Sequence, residues 1–151
     1  MPPKGGLPAI LVGGSLAGIL DLTDALVFYG LRGVRPIRIL QSIARGLLGA
    51  KAFEGGWGTA ALGVGLHFVI ALGAAAVYYA ASRRLKFMRR RAVMSGLLYG
   101  VAVFLFMNGV VLPLSAAGKP AFSTITFLNG IAAHLFFVGL PISLAVRRYS
   151  K

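Results

Sequence analysis

Four stretches of this chain, residues 8–30, 58–81, 92–113 and 122–146, are apolar over a length that leaves few ways to fold. A hydrocarbon core of about 30 Å takes roughly 20 helical residues at about 1.5 Å of rise each, and every stretch reaches that length. In lipid each backbone N–H and C=O needs a partner within its own segment, so helices are expected; the alternating pattern of a transmembrane strand is absent. Hydrophobic residues make up 58% of the chain, mean hydropathy is +0.83, and only three of 151 residues are acidic, which is not the balance of a water-soluble domain. The expected fold is all-α: an integral membrane four-helix bundle forming a single membrane domain over 1–151. Little chain remains for a soluble catalytic domain. No P-loop, dinucleotide fingerprint or nucleophile elbow occurs, and "GVGLHFVIALG" lies inside an apolar helix with no strand before it, so a non-enzymatic protein is expected. The first span is longer than a signal-peptide core and lacks a cleavage motif, which predicts a retained helix. The absence of cysteine excludes disulfides and thiolate metal sites.

The net charge of +13 comes from 16 Lys and Arg residues that sit between or beside the spans, a pattern of membrane topology rather than of nucleic-acid binding. With a cytoplasmic N-terminus, Lys4, Arg83, Arg84, Lys86, Arg89, Arg90, Arg91, Arg147, Arg148 and Lys151 fall inside. Arg32, Arg35, Arg38, Arg45, Lys51 and Lys119 fall outside, and ten against six predicts both termini in the cytoplasm. The run "RRLKFMRRR" is the strongest determinant, and its Arg83, Arg84, Arg89, Arg90 and Arg91 are also candidates to meet anionic lipid headgroups. Tyr78, Tyr79, Tyr99 and Tyr149 flank this basic side, as expected of rings at headgroup level.

Between the first two long spans, "PIRILQSIARGLLGAK" places Arg38, Gln41, Ser42 and Arg45 on one arc of a helical wheel and Ile37, Leu40, Ile43, Ala44, Leu47 and Leu48 on the other. Pro36 suits a first helical turn. An amphipathic helix over 36–51 is predicted to lie in the outer interface, with Trp57 as an anchor; the alternative is a lid over a buried site. The bundle also carries signs of internal duplication. "GGSLAG" in the first span and "SGLLYG" in the third share one pattern, and Gly63 and Gly130 each precede a histidine by four residues. Two tandem hairpins related about an axis along the membrane normal are predicted. Small residues share a face with the polar groups on the first, second and fourth spans, so these faces are expected to meet other helices or another subunit.

The polar residues of the spans are the main functional signal. In "GILDLTDALVF", Asp24 and Asp21 lie about 10 and 15 Å below the outer end of the first span, and His67 about 13 Å below the start of the second. His134 falls in a similar slab, with Asn108 and Asn129 nearer the outer surface. A charged residue in hydrocarbon is costly and is kept facing a cavity or a partner. Four readings fit. The cluster could be a set of hydrogen-bonded struts between helices. It could be a proton or cation site, since a carboxylate beside a histidine is the pairing that proton coupling requires. His67, His134, Asp21 and Asp24 could hold a metal ion. Finally, His67 and His134 could hold a b-type haem from opposite hairpins. No cofactor is the leading expectation.

The segments "GGSLAGILDLTDALVFYGLRGVRPIRILQSIARGLLG", "GVGLHFVIALGAAAVYY", "LYGVAVFLFMNGVVLPLS" and "LNGIAAHLFFVGLP" resemble small bacterial four-span proteins related to the YagU-like inner-membrane family. The resemblance covers nearly the whole chain, lies mainly in the histidine-bearing helices, and implies a bacterial inner-membrane location without implying a reaction. The expected function is handling of protons or a cation, and the rival class is an accessory or scaffolding subunit of a larger membrane complex. Expected partners are membrane lipids and further protein subunits, in a homo-oligomer or a larger assembly, and not nucleic acid.

Overall fold

A computed structural model of the chain describes residues 5–119 and 121–149; Lys4 and Lys151 of the basic set lie outside them. The described residues form helices α1 (Gly6–Gly30), α2 (Pro36–Leu48), α3 (Gly56–Arg84), α4 (Lys86–Arg90), α5 (Ala92–Leu114) and α6 (Thr124–Tyr149), with a 3₁₀ turn at Gly49–Phe53 and no strand among them. Helices α1, α3, α5 and α6 are long and apolar enough to cross a bilayer, and each covers one of the expected stretches. The chain is therefore a membrane protein with an all-helical bundle.

Packing follows from side-chain size. The buried positions are dominated by Ala9, Ala17, Ala60, Ala71, Ala75, Ala133 and glycines, whereas Leu11, Leu16, Ile19, Val69, Val77, Leu98, Leu105, Leu128 and Phe136 are exposed. Lipid solvates large apolar side chains as well as a protein interior does, so close backbone approach at small residues is what holds such helices together. On α1, a Cβ at Gly14 would lie 2.8 Å from Leu72 Cα of α3, and one at Gly13 would lie 3.3 Å from Ile142 Cα of α6. On α5, a Cβ at Gly96 would lie 2.9 Å from the Gly139 carbonyl oxygen, and one at Gly100 2.7 Å from Leu135 Cα, both on α6.

The duplicated motifs thus do the same work in each hairpin. "GGSLAG" seats α1 on α3 just beyond His67, and "SGLLYG" seats α5 on α6 just beyond His134. The hairpins then join through α1 and α6, while α3 and α5 approach each other chiefly at Tyr78 and Tyr99. One of the two equivalent seams is closed, and the other is left open.

Helices α5 and α6 widen into π turns at Met107–Val111 and His134–Gly139, each ending two residues before a proline, Pro113 or Pro141. Proline offers no N–H to the carbonyl four residues back and its ring crowds that carbonyl, so the regular ladder gives way there.

Helix α2 departs from the simple interfacial picture. Gln41, expected on the solvated arc, is buried, and Leu47 and Leu48, expected on the inward arc, are exposed. The helix is turned because it docks on α3 at Gly63, which would otherwise strike the Leu40 carbonyl, and because Gln41 Nε2 donates to Gly56 O at 3.0 Å and to Thr59 Oγ1 at 3.3 Å. Trp57 is 72% exposed, as an interfacial anchor requires. Tyr78, expected at headgroup level, is fully buried and donates its hydroxyl to Met88 O at 3.1 Å, and Tyr99 turns inward to Ala74 O at 2.7 Å. A phenol facing small residues in the bundle finds a carbonyl partner without needing the interface. Gly63→Leu is expected to lift α2 from α3, and faster tryptic cleavage at Arg38 and Arg45 in oriented vesicles would report it.

Candidate functional site

The four spans and α2 surround a cavity of about 320 Å³ with mostly apolar walls. Helix α1 contributes Ala17, Gly18 and Asp21, α3 contributes His67, Ile70, Ala71 and Ala74, and α6 contributes His134 and Val138. Helix α5 supplies Val103, Met107, Asn108 and Val111. Ser42, Ile43 and Gly46 of α2 form the roof, which the Ala116 N–H ties down by donating to Gly46 O at 2.9 Å and Arg45 Nη2 by donating to Ala117 O at 2.8 Å. The lid alternative for this segment matches its position.

Next to the lining residue Ala74 lies the tyrosine pair. The rings of Tyr78 and Tyr99 are 5.0 Å apart, and Tyr99 clamps α5 to α3 through Ala74 O. Beyond them lie the arginine-rich ends of α3 and α6 and the start of α5.

Three ionisable side chains from three helices face this space. His67 Nε2 lies 2.9 Å from Gly18 O and 3.9 Å from Asp21 Oδ2. A carbonyl only accepts, so Nε2 carries a hydrogen and donates it to Gly18; the approach to Asp21 is an ion-pair distance, too long for a direct hydrogen bond. His134 Nδ1 likewise donates to Gly130 O at 2.8 Å. In each neutral ring the opposite nitrogen is then a bare acceptor. The backbone thereby sets two tautomers and leaves one ring nitrogen of each histidine without a hydrogen. Asp21 has His67, His134 and Asp24 as its ionisable neighbours. Its side chain is 22% exposed and that of His67 15%, so both reach the cavity surface.

The expected cluster splits. Asp21, His67, His134 and Asn108 line the cavity, but Asp24 and Asn129 do not. Asn129 Nδ2 donates to Asp24 Oδ2 at 2.8 Å, a cross-link between α6 and α1 outside it. Asn108 Nδ2 bonds Phe104 O of its own helix at 2.9 Å and so trims the π turn. For metal binding, no group of three or more His, Asp or Glu residues among the described residues is placed to hold an ion. Asp24 is drawn away to Asn129, which breaks up the four-ligand set. For haem, both histidines are at the cavity, but its volume is at the low end of the range for small-ligand pockets, about 300–1,000 Å³, and suits water, an ion or a small solute better than a tetrapyrrole.

Several contributors are not legible from residue type. The Gly18 and Gly130 carbonyls, the Ser42 and Gly46 roof, and Tyr99 next to Ala74 act through backbone or through position.

Of the lipid-facing candidates, Arg83, Arg84, Arg90 and Arg91 are exposed at the basic end, while Arg89 is half-buried. Comparison with known proteins finds no matching family model, no similar curated protein and no similar solved structure.

Proposed function

We propose that this protein handles protons, or a cation exchanged for them, at the cavity shared by Asp21, His67 and His134. The observation that carries the reading is the convergence of one carboxylate and two imidazoles of defined tautomer on one cavity. A carboxylate near the middle of a span costs about 2.5–3.5 kcal/mol on insertion scales, while an interhelical hydrogen bond returns about 0.6 kcal/mol on average. Asp24 recovers that much from Asn129. Among the described residues Asp21 makes only the 3.9 Å approach to His67, so structural support does not account for it. A group that gains and loses a proton does.

The protein is taken as a non-enzymatic inner-membrane protein of bacteria with both termini cytoplasmic, and the four-span YagU-like resemblance agrees with that location. Its exposed arginines at the basic end meet anionic lipid headgroups. Infrared difference spectra of the purified protein between acid and alkaline pH are the direct test. A carboxylic C=O band that vanishes in Asp21→Asn and persists in Asp24→Asn is expected; spectra unchanged by Asp21→Asn would end the proposal.

One observation favours a second reading, in which the protein is a subunit of an oligomer or a larger complex. Gly58, Ala61, Gly65, Gly73 and Ala80 form an exposed stripe along α3, and a Cβ at Gly58, Gly65 or Gly73 meets nothing within 4 Å. Small outward stripes admit a neighbouring helix. Native mass spectrometry after gentle extraction is expected to show a multimer or a defined partner that Gly65→Leu disrupts; a lone monomer in both proteins would refute this reading.

A further inference from the structure

Building on the assignment of Asp21 as a protonatable group, the geometry points to a lipophilic organic cation as the cavity's ligand, entering from the bilayer through the cleft between α3 and α5.

The cleft is the seam that the two hairpins leave open. Above the Tyr99 clamp, Ile70 on α3 and Val103 and Met107 on α5 line the cavity, and Ile70 is 41% exposed. A lining side chain this exposed, between two helices that touch chiefly at Tyr78 and Tyr99, marks the mouth of the cavity, and within the spans that mouth faces lipid. Mostly apolar walls with a few convergent polar groups are the composition of a small-ligand site.

Charge selects the ligand and its route. The water-facing rim carries Arg32, Arg35, Arg38, Arg45, Lys51 and Lys119 against Glu54 alone among the described residues, a field that discourages an aqueous cation from entering past α2. A cation dissolved in the bilayer avoids that rim. Inside, Asp21 offers the negative charge, and the groups that face it are His67 from α3, His134 from α6 and Asp24 from its own helix. The parts of α2 and α5 that line the cavity bring Ser42 and Asn108, which do not titrate. A proton on Asp21 neutralises its carboxylate. A ligand cation takes that place, and the proton leaves to water, so one positive charge enters as one leaves. Acid therefore opposes binding.

The probe is benzyltrimethylammonium, with neopentylbenzene as its uncharged isostere, titrated calorimetrically against the full-length protein in nanodiscs at weak buffering. Binding of the cation with release of protons is expected, weaker in acid, and stronger than that of the isostere. Asp21→Asn is expected to lower affinity about 30-fold or more, as loss of one partner of a buried charge pair does, with Asp24→Asn close to wild type. Ile70→Trp, which fills the opening without touching the carboxylate, is expected to slow or abolish binding while the protein stays monodisperse. Equal binding of both probes, or binding unaffected by Asp21→Asn, would overturn the inference. If the cation fails to bind while the Asp21 infrared band still titrates, the ligand assignment alone falls. If the band is absent too, the protonation reading falls with it.

Discussion

Proteoliposomes carrying Asp21→Asn are expected to lose acid-driven proton uptake to the level of empty liposomes, while Asp24→Asn retains most of it. The two aspartates lie three residues apart on one helix, yet one lines the cavity beside His67 and the other accepts a hydrogen bond from Asn129 across the α1–α6 seam. Removing charge at Asp24 weakens a cross-link worth about 0.6 kcal/mol on average and leaves the titrating groups in place. Removing it at Asp21 deletes the acidic member of the cavity. His67→Gln keeps a donor for Gly18 O but cannot titrate, and a slowing of roughly 10²-fold is expected, the scale of one positioned proton-transfer group. A fluorescent pH indicator trapped in the vesicles reads all of these. Wild-type rates in Asp21→Asn would remove the basis for a proton pathway here.

The second large effect concerns assembly. Gly139→Leu is expected to separate α5 from α6 and to cost about 3 kcal/mol or more, read as loss of a cooperative transition in detergent. A Cβ at Gly139 would lie 2.6 Å from Gly100 N and 2.9 Å from Gly100 Cα, and it would meet the Gly96 carbonyl as well. All three obstacles are backbone, so no rotamer change relieves them. Overpacking a well-filled core costs about 1–3 kcal/mol, occasionally more, and this contact is at the severe end because the whole helix must move. Gly73→Leu serves as the control: the added side chain faces open space, and a change within about 0.5 kcal/mol is expected. Stability unaltered by Gly139→Leu would show that the α5–α6 seam is looser than its geometry indicates.

The four spans and the paired hairpins were legible because each depends on a local regularity. Long apolar runs register directly, and the matched "GGSLAG" and "SGLLYG" mark the two helix seats through the need for small residues at close contact. Gln41 was misplaced because a helical wheel records polarity, while its burial depends on the notch at Gly63 and on acceptors at Gly56 and Thr59. Tyr78 was misplaced for a similar reason: a basic flank suggests the headgroup region, but the Met88 carbonyl satisfies the phenol inside. Asp21 and Asp24 look alike by depth and type, and which of them faces the cavity depends on the azimuth of α1 between α3 and α6.

By itself, then, the sequence determined the solvent this protein lives in, its helical secondary structure and its duplicated plan. Hydrophobic length and the requirement to satisfy backbone hydrogen bonds inside lipid act on each segment alone. Tertiary structure decided which seam between the hairpins closed and which opened into a cavity, which aspartate lines it, and which ring nitrogens stay bare. Those outcomes depend on the rotation of helices against one another and on carbonyls exposed by packing.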